Sequence, residues 1–277
     1  MLPFGALVIV VMALRKHPMT SIDTVGSYLD QMDIPAWRFF PMVGSTNDMA
    51  LNWAKQGAPD WTLVVADAQT TGRGRAGRHW ITEPGCALAF SLVFRLSPDE
   101  VAYYARLAAL GGLGLIYALE GLGLRGSLKW PNDVLLSGAK VGGVLVESSW
   151  LADQLEAAVI GIGVNVSFGS VPPAEELRYP AIDIQSALGE PVDRWSLLAQ
   201  IVHGLRKYRN ILAEDAFVAA CNQYLSWRDE WVRFQRPGEQ PQRVRIIGIM
   251  SDGRLSVETQ DDRKFDVLNG EIIMRDD

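Results

Sequence analysis

Three arginines share one glycine-rich segment, Gly72-Arg73-Gly74-Arg75-Ala76-Gly77-Arg78-His79-Trp80, and a lysine opens a second, Lys129-Trp130-Pro131-Asn132-Asp133. Glycine lets the backbone come close to a ligand because it has no Cβ to clash. Guanidinium forks match the oxygens of phosphates and carboxylates in pairs. Lys129 ends a short apolar run, and the residue before a proline is driven to extended geometry, so Trp130-Pro131 stiffens that strand end. Asn132-Asp133 then reads as a turn whose side chains bond neighbouring backbone. Together the segments describe a site for phosphates and a carboxylate. The bland alternatives are a solvated basic turn and a plain strand end. The first leaves three like charges repelling one another with no anion to balance them; the second suits Asn132 and Asp133 better than Lys129.

The loop also spells Gly-x-Gly-x-x-Gly, the dinucleotide-binding fingerprint, and it follows a strand-like run. That fingerprint must open a helix whose N-terminus holds a pyrophosphate. Here Pro84-Gly85 would stop any helix within a turn or two, and the next element reads as a strand. No kinase catalytic-loop or metal-binding signature follows the loop, and no Gly-Lys-Ser/Thr phosphate loop occurs anywhere.

These residues need elements to hold them. Ser45 to Gln56 reads as a helix with Ser45 as N-cap, Asp48 in the first turn and Gly57 at the stop. Thr62–Ala66 and the apolar run Cys86–Phe94 read as strands. Ser97-Pro98-Asp99-Glu100 starts a helix expected to continue through Tyr104 and Leu107 to Leu119. Its glycines at 111, 112 and 114 weaken it, which close packing against a sheet would explain. Leu128–Trp130, Val134–Leu136, Val141–Glu147 and Ala157–Val166 are further strands, antiparallel because their connections are short. Two helices follow, Trp195–Leu212 and Glu214–Trp227. Past Trp227 come short strands at Val232–Phe234, Val244–Met250, Leu255–Glu258 and Phe265–Val267, split by Pro237-Gly238, Asp252-Gly253 and Asn269-Gly270. That is a small all-β unit, expected to be a barrel. The organisation expected is an extension over residues 1–36, a catalytic unit over 37–226 and a β unit over 227–277.

The chain has 277 residues, 48% of them hydrophobic and 21% charged, as in an ordinary globular protein. A formal net charge of -6 argues against sequence-blind nucleic-acid binding, which uses a basic face, and favours a small anionic ligand at the arginines. Cys86 and Cys221 form no metal knuckle and read as buried thiols in a reducing, cytoplasmic compartment. The apolar stretch Met1–Leu14 is followed, not preceded, by Arg15 and Lys16, unlike a secretory signal. It is too short to span a bilayer, which takes about 20 residues, so no membrane role is expected. A true start at Met12 or Met19, or a loosely ordered extension, is the preferred reading, with a peripheral anchor as the alternative.

Five segments in order resemble the biotin protein ligase family: Ser45-Thr46-Asn47, Gln69 to Trp80, Lys129 to Asp133, Lys140-Val141-Gly142-Gly143-Val144-Leu145-Val146-Glu147, and Gly161-Ile162-Gly163-Val164-Asn165. The resemblance implies an α+β fold, a mixed and largely antiparallel sheet backed by helices of the class II synthetase type, followed by a small β-barrel. It implies an ATP-dependent ligase that makes biotinyl-5'-adenylate, with Mg²⁺, and transfers biotin to one lysine of a biotin carboxyl carrier protein or carrier domain of a carboxylase.

It also implies residue roles. Ser45, Thr46, Asn47 and Gln69 would meet the biotin ureido ring, for which their donors and acceptors suit. Gly72, Gly74, Gly142 and Gly143 would let backbone lie against the ligand. Arg73 and Arg75 would hold the carboxylate and phosphates, and Arg78 would serve the phosphate side. Trp80 would pack on the ligand, while Asn132 and Asn165 would serve the nucleotide, Asn165 reading the adenine. Lys129 would stabilise charge that builds during adenylation. Metal ligands are not identifiable.

Two features depart from the family pattern. Ala76 stands where a further arginine or lysine is frequent, and residues 1–36 carry no helix-turn-helix pattern of the kind that makes some members repressors. An enzyme without a role in transcription is therefore expected, as monomer or homodimer. The alternatives on the same fold are a lipoate or octanoate ligase and a non-catalytic biotin-binding module. Repulsion among the arginines is expected to leave residues 68–84 disordered until an anion binds.

Overall fold

A computed structural model of the chain describes residues 22–152 and 154–275. The reading of residues 1–19 as a mis-started extension lies outside them. Seven strands form one sheet: β1 (Trp37–Phe40), β2 (Leu63–Ala66), β3 (Ala87–Phe94), β4 (Gly126–Lys129), β5 (Asp133–Leu136), β6 (Ala139–Leu151) and β7 (Gln154–Asn165). Their order across the sheet is β1-β2-β3-β7-β6-β5-β4. Only β1 and β2 run parallel; every other neighbouring pair is antiparallel. The mixed, largely antiparallel sheet is thus as the sequence implied. Strands β2 and β3 are buried along their whole length, which is why both read as continuous apolar runs rather than alternating ones.

Helix α2 (Thr46–Lys55) covers one face of the sheet, over a small core of Ala50, Ala54, Val64, Val93, Ala157 and Val159. The other face carries the main core and is covered by α4 (Leu107–Gly121). Helix α6 (Arg194–Arg209) packs outside α4. The α4 glycines are explained by this double contact. A Cβ on Gly111 would meet Val144 at 2.6 Å, one on Gly112 would meet Leu128 at 2.4 Å, and one on Gly114 would meet Leu205 of α6 at 2.7 Å. Glycine here trades helix propensity for backbone approach.

The single helix expected from Ser97 to Leu119 is divided. The capping box of Ser97 and Glu100 opens only the short α3 (Pro98–Val101), and a 3₁₀ turn, Tyr104–Arg106, precedes α4. The break delivers Arg106, 4% exposed, to backbone carbonyls of other segments: those of Leu212 and Ser251. A straight helix would not place the guanidinium between them.

Strands β8 (Trp231–Gln235), β9 (Gln242–Ile249), β10 (Leu255–Glu258), β11 (Lys264–Val267) and β12 (Glu271–Arg275) make a second, antiparallel sheet in the order β11-β10-β9-β8-β12. Among the described residues β11 and β12 do not pair, so the expected barrel is an open five-stranded sheet. Four short elements escaped the sequence reading: α1 (Ile22–Leu29), β1, α5 (Ile184–Leu188) and β12. α7 (Asp215–Tyr224) lies within the second expected C-terminal helix.

Candidate active site

Most of the side chains singled out by sequence come together on the α2 face of the first sheet, at the N-terminus of that helix; Lys129, Gly142 and Asn165 do not line this pocket. Strands β6 and β7 pair Gly143 with Gly163 and Leu145 with Gly161. Side chains alternate along a strand, so Gly143, Gly161 and Gly163 leave a Cβ-free floor on this face. A Cβ on Gly163 would lie 2.3 Å from the Trp80 ring, and one on Gly161 would lie 2.1 Å from Asn47 Oδ1. Gly142 points the other way, where its Cβ would strike Leu115 of α4 at 2.6 Å. Of the expected glycine pair, only Gly143 faces the pocket.

The inner end of the site is neutral and internally bonded. Gln69 Oε1 accepts from the Thr46 backbone N–H at 2.8 Å and from the Thr46 hydroxyl at 3.1 Å. Gln69 Nε2 lies 3.4 Å from Thr82 Oγ1. Ser91, fully buried on β3, donates to Asn47 Oδ1 at 2.6 Å and lies 2.8 Å from Thr46 Oγ1. Asn47 Nδ2 donates to Glu147 at 2.7 Å. Ser45 occupies the N-cap position but makes no side-chain cap bond, so its hydroxyl, in the pocket wall, is available to a ligand. Ser91 and Thr82 are members of this inner end that the sequence reading missed. A lone serine at a buried position of an otherwise apolar strand was the signal for Ser91.

The arginine segment is a hairpin. Trp80 N–H donates to the Gly72 carbonyl at 2.9 Å and Gly74 N–H to the Arg78 carbonyl at 2.7 Å. A Cβ on Gly72 would sit 2.3 Å from the Trp80 carbonyl oxygen, which no side chain tolerates. The turn uses left-handed backbone at Ala76 (φ 55) and Gly77 (φ 72). Gly72 and Gly77 are therefore needed for the loop's shape. Gly74 lines the pocket.

The three arginines differ sharply. Arg73 makes a bidentate pair with Asp48, 2.7 Å on each arm, and reaches Glu147 at 2.9 Å. The hydrogen bond from Arg73 holds the Asp48 carboxyl below the usual carboxylate range, and the same bond holds Arg73 protonated. Arg78 pairs with Glu271 of β12 at 2.7 Å, and Arg178 joins the same carboxylate at 3.2 Å. Arg75 makes no ion pair or hydrogen bond through its side chain among the described residues, and burial, then the nearby Arg78, make it easier to deprotonate than a free arginine. It remains charged at any physiological pH.

Lys129 closes β4 with 4% exposure. Its Nζ lies 3.8 Å from Asp133 and 3.8 Å from the centre of the Tyr179 ring. Burial lowers its pKa, with Asp133 opposing that shift. Asp133 also takes Lys140 Nζ at 2.6 Å. Burial, reinforced by Glu271, pushes Tyr179 up to about 12. Asn132 clasps β6, its Nδ2 donating to the Val144 carbonyl at 2.7 Å. Asn165 is buried and directs Nδ2 at the carbonyls of Lys140 and Ile182, so it supports the wall rather than lining it. Asp48, Glu147, Lys140, Arg178, Tyr179 and Glu271 are charged or polar members that the sequence reading left unassigned.

These side chains enclose three adjoining spaces. A narrow inner pocket of about 100 Å³ runs from Ser45 and Gln69 to the arginines and Trp80. A wide cleft of about 900 Å³ carries Lys129, Lys140, Arg178, Tyr179 and Glu271. A third of about 290 Å³ lies between the start of α4 and the C-terminal sheet. Arg75, Asn132 and Asp133 border all three. Trp80 Nε1 is buried without a hydrogen-bond partner. Among the described residues no group of three or more His, Cys, Asp or Glu side chains is placed to hold a metal ion, and no helix is long and apolar enough to cross a membrane.

Comparison with known proteins matches this geometry to one family. The pattern of the biotin/lipoate A/B protein ligase family matches residues 39–165, which include every pocket side chain of the α2 face. A biotin--[acetyl-CoA-carboxylase] ligase of Paracoccus denitrificans is 35% identical over 191 residues, covering 66% of this chain and 76% of that protein. The chain belongs to the biotin protein ligase family. The bifunctional ligase/repressor BirA of Bacillus spizizenii is 33% identical over 193 residues, 69% of this chain and 56% of the relative. The chain spans a little over half the length of such Bacillus relatives, 56% and 54% in two of them. The structure of an Aquifex aeolicus biotin protein ligase in complex with biotin and ATP superposes with a TM-score of 0.72, at 28% identity, over 88% of this chain and all of that one.

Proposed function

We propose that the chain activates biotin with ATP as biotinyl-5'-adenylate and transfers the biotinyl group to a lysine of a biotin carrier protein or carrier domain. In this reading residues 37–226 are the catalytic unit, and the β unit over 227–277 closes one side of its cleft. The observation that carries the proposal is the junction at Arg75: a narrow pocket lined by amide and hydroxyl groups meets a wide cationic cleft at a guanidinium that has no hydrogen-bond or ion-pair partner among the described residues. Biotin has that polarity, a neutral ureido ring at one end of an aliphatic chain and a carboxylate at the other.

The ring then sits by Ser45, Thr46, Asn47 and Gln69, and the carboxylate comes to Arg75. A carboxylate oxygen attacks the α-phosphorus of ATP, and the bond to pyrophosphate breaks as that group leaves with the electron pair. Lys129, Arg75 and Arg78 stabilise the charge that shifts onto phosphate oxygens, an effect strongest where water is excluded. Arg73 joins them to the extent that the ligand draws it from Asp48 and Glu147. Trp80 lies on the glycine floor as a stacking surface, and Asn132 and Asn165 hold the walls beside the nucleotide. Mg²⁺ bound to the triphosphate would neutralise part of its charge. The scarcity of carboxylates free of ion pairs in the cleft fits a cation held chiefly by phosphates and water. The two buried free thiols fit a reducing compartment, and we place the enzyme in the cytoplasm.

The test is exchange of labelled pyrophosphate into ATP, run with biotin and with lipoate. Exchange with biotin alone is the expected result. Exchange with lipoate alone would move the chain to the lipoate branch of the family, and exchange with neither would leave a binding module.

A further inference from the structure

We infer that the cavity between the start of α4 and the C-terminal sheet is the entry channel for the acceptor lysine of the carrier polypeptide. The inference rests on the ligase reading above. Three spaces meet at Arg75, Asn132 and Asp133, where that reading puts the activated acyl carbon. The inner pocket is filled by the ureido ring and its chain. The wide cleft is rich in cations, including Lys129, Lys140, Arg178 and Arg236, and suits the triphosphate. An ammonium travelling along it would meet Lys140, Arg178 and Arg236 over the whole route as well as the cations at the junction.

The third space differs in chemistry. Beyond the shared junction its walls are mostly apolar, with Ala108, Ala109, Val146, Phe217 and Val218 among them. Its further charges are Lys129, beside the junction, and Arg106, which is spent on the carbonyls of Leu212 and Ser251. Met250 and Leu268 border it and are 40% and 61% exposed, large apolar side chains left at the surface. Such a passage fits the methylene stem of a lysine, with apolar neighbours of that lysine resting on Met250 and Leu268. Apolar walls and two cations at the inner end, Arg75 and Lys129, both disfavour an ammonium, so the nitrogen arrives as the free amine that the chemistry needs. That nitrogen bonds to the acyl carbon, the bond from carbon to the phosphate oxygen breaks, AMP leaves with the electron pair, and the nitrogen releases one proton to water.

The experiment uses the whole chain carrying preformed biotinyl-adenylate and two amine probes, Nα-acetyl-lysinamide and hydroxylamine. Ala109→Phe puts a ring into the channel from α4, and Val218→Phe narrows it from α7. Pyrophosphate exchange with biotin is expected to stay within about twofold of the parent for both, while capture of the bound adenylate by Nα-acetyl-lysinamide falls about tenfold or more. Hydroxylamine, small enough for any route, is expected to react undiminished. Unchanged capture by the lysine probe in both variants, with exchange intact, overturns the channel. Absence of biotin-dependent exchange in the parent overturns the ligase reading instead. Should Ala109→Phe fail to fold, Val218→Phe decides alone.

Discussion

The closed end of the site and its mouth are built on opposite terms. At the closed end, Thr46, Asn47, Gln69 and Ser91 bond one another at 2.6 to 3.1 Å, and the groups are neutral and half or fully buried. Such a network holds its geometry without a ligand and pays out its remaining capacity only to a partner of matching shape. At the mouth the cations are matched with carboxylates of the protein itself, Arg73 with Asp48 and Glu147, Arg78 with Glu271. An incoming anion must compete with those carboxylates. Net attraction therefore rests on the cations that lack a close one: Arg75, and Lys129, whose nearest carboxylate is 3.8 Å away. The closed end selects and the mouth supplies charge, but only part of the visible charge is free to act.

The largest expected effect tests the mouth. Lys129→Ala should lower biotin-dependent pyrophosphate exchange about 10²- to 10³-fold, the usual size for loss of one preorganised electrostatic contact. Biotin affinity, measured by calorimetry, should change little because the ureido end is elsewhere. Near-normal exchange would remove Lys129 from the chemistry. A smaller effect separates the arginines. Arg75→Gln should cost about 10- to 100-fold in kcat/KM for exchange, about 1.4 to 2.7 kcal/mol at 1.36 kcal/mol per decade. Arg73→Gln should cost less, because that guanidinium is already committed to two carboxylates. Equal losses, with both variants folded by circular dichroism, would mean that the Arg73 pairing is not its working state.

How much of this was legible in the sequence follows from where the causes lie. Lys129 and the arginines stood out because their residue types carry the chemistry themselves, whereas the Ser45-Thr46-Asn47 run was assigned through the family resemblance. The strands β3 and β7 were legible because burial on both faces writes a continuous apolar run. What sequence could not show was pairing between distant segments. That Arg73 faces Asp48 and Glu147, or that Arg78 reaches Glu271 across to β12, depends on sheet order and on a register that brings residues 73 and 147 together. The same limit explains Gly142 and Asn165. Both belong to the expected glycine and asparagine motifs, yet the alternation of β6 turns Gly142 to α4 and the end of β7 turns Asn165 to backbone carbonyls. Parity along a strand was available in principle: Gly143 with Gly161 and Gly163 share one face once the register of β6 on β7 is known. The break between α3 and α4 was hidden for a different reason, since good local helix signals yielded to the demand of two carbonyls for Arg106.

The smallest expected effect concerns acid stability and tests whether the mouth is held by its own carboxylates. Asp48 has a folded pKa below its ordinary value because Arg73 donates to it. A depressed carboxylate stabilises the fold above its unfolded pKa, about 4, and that contribution is lost as pH falls through the folded value. Asp48→Asn removes the term. The parent should therefore be the more stable protein at neutral pH, and the difference should begin to shrink as pH falls below about 4 and be gone below the folded value. The pair is roughly half exposed, 35% for Arg73 and 49% for Asp48, and Glu147 keeps part of the compensation, so the gap should be no more than about 1 kcal/mol. Across a chain of this size that is about 2–4 °C in Tm. A gap that stays constant from neutral pH down to the acid unfolding of the protein would mean the substitution acts through something other than this ion pair. A gap that shrinks on schedule, with ATP affinity equal in the two proteins, would confine Asp48 to holding the loop and leave substrate attraction to Arg75 and Lys129.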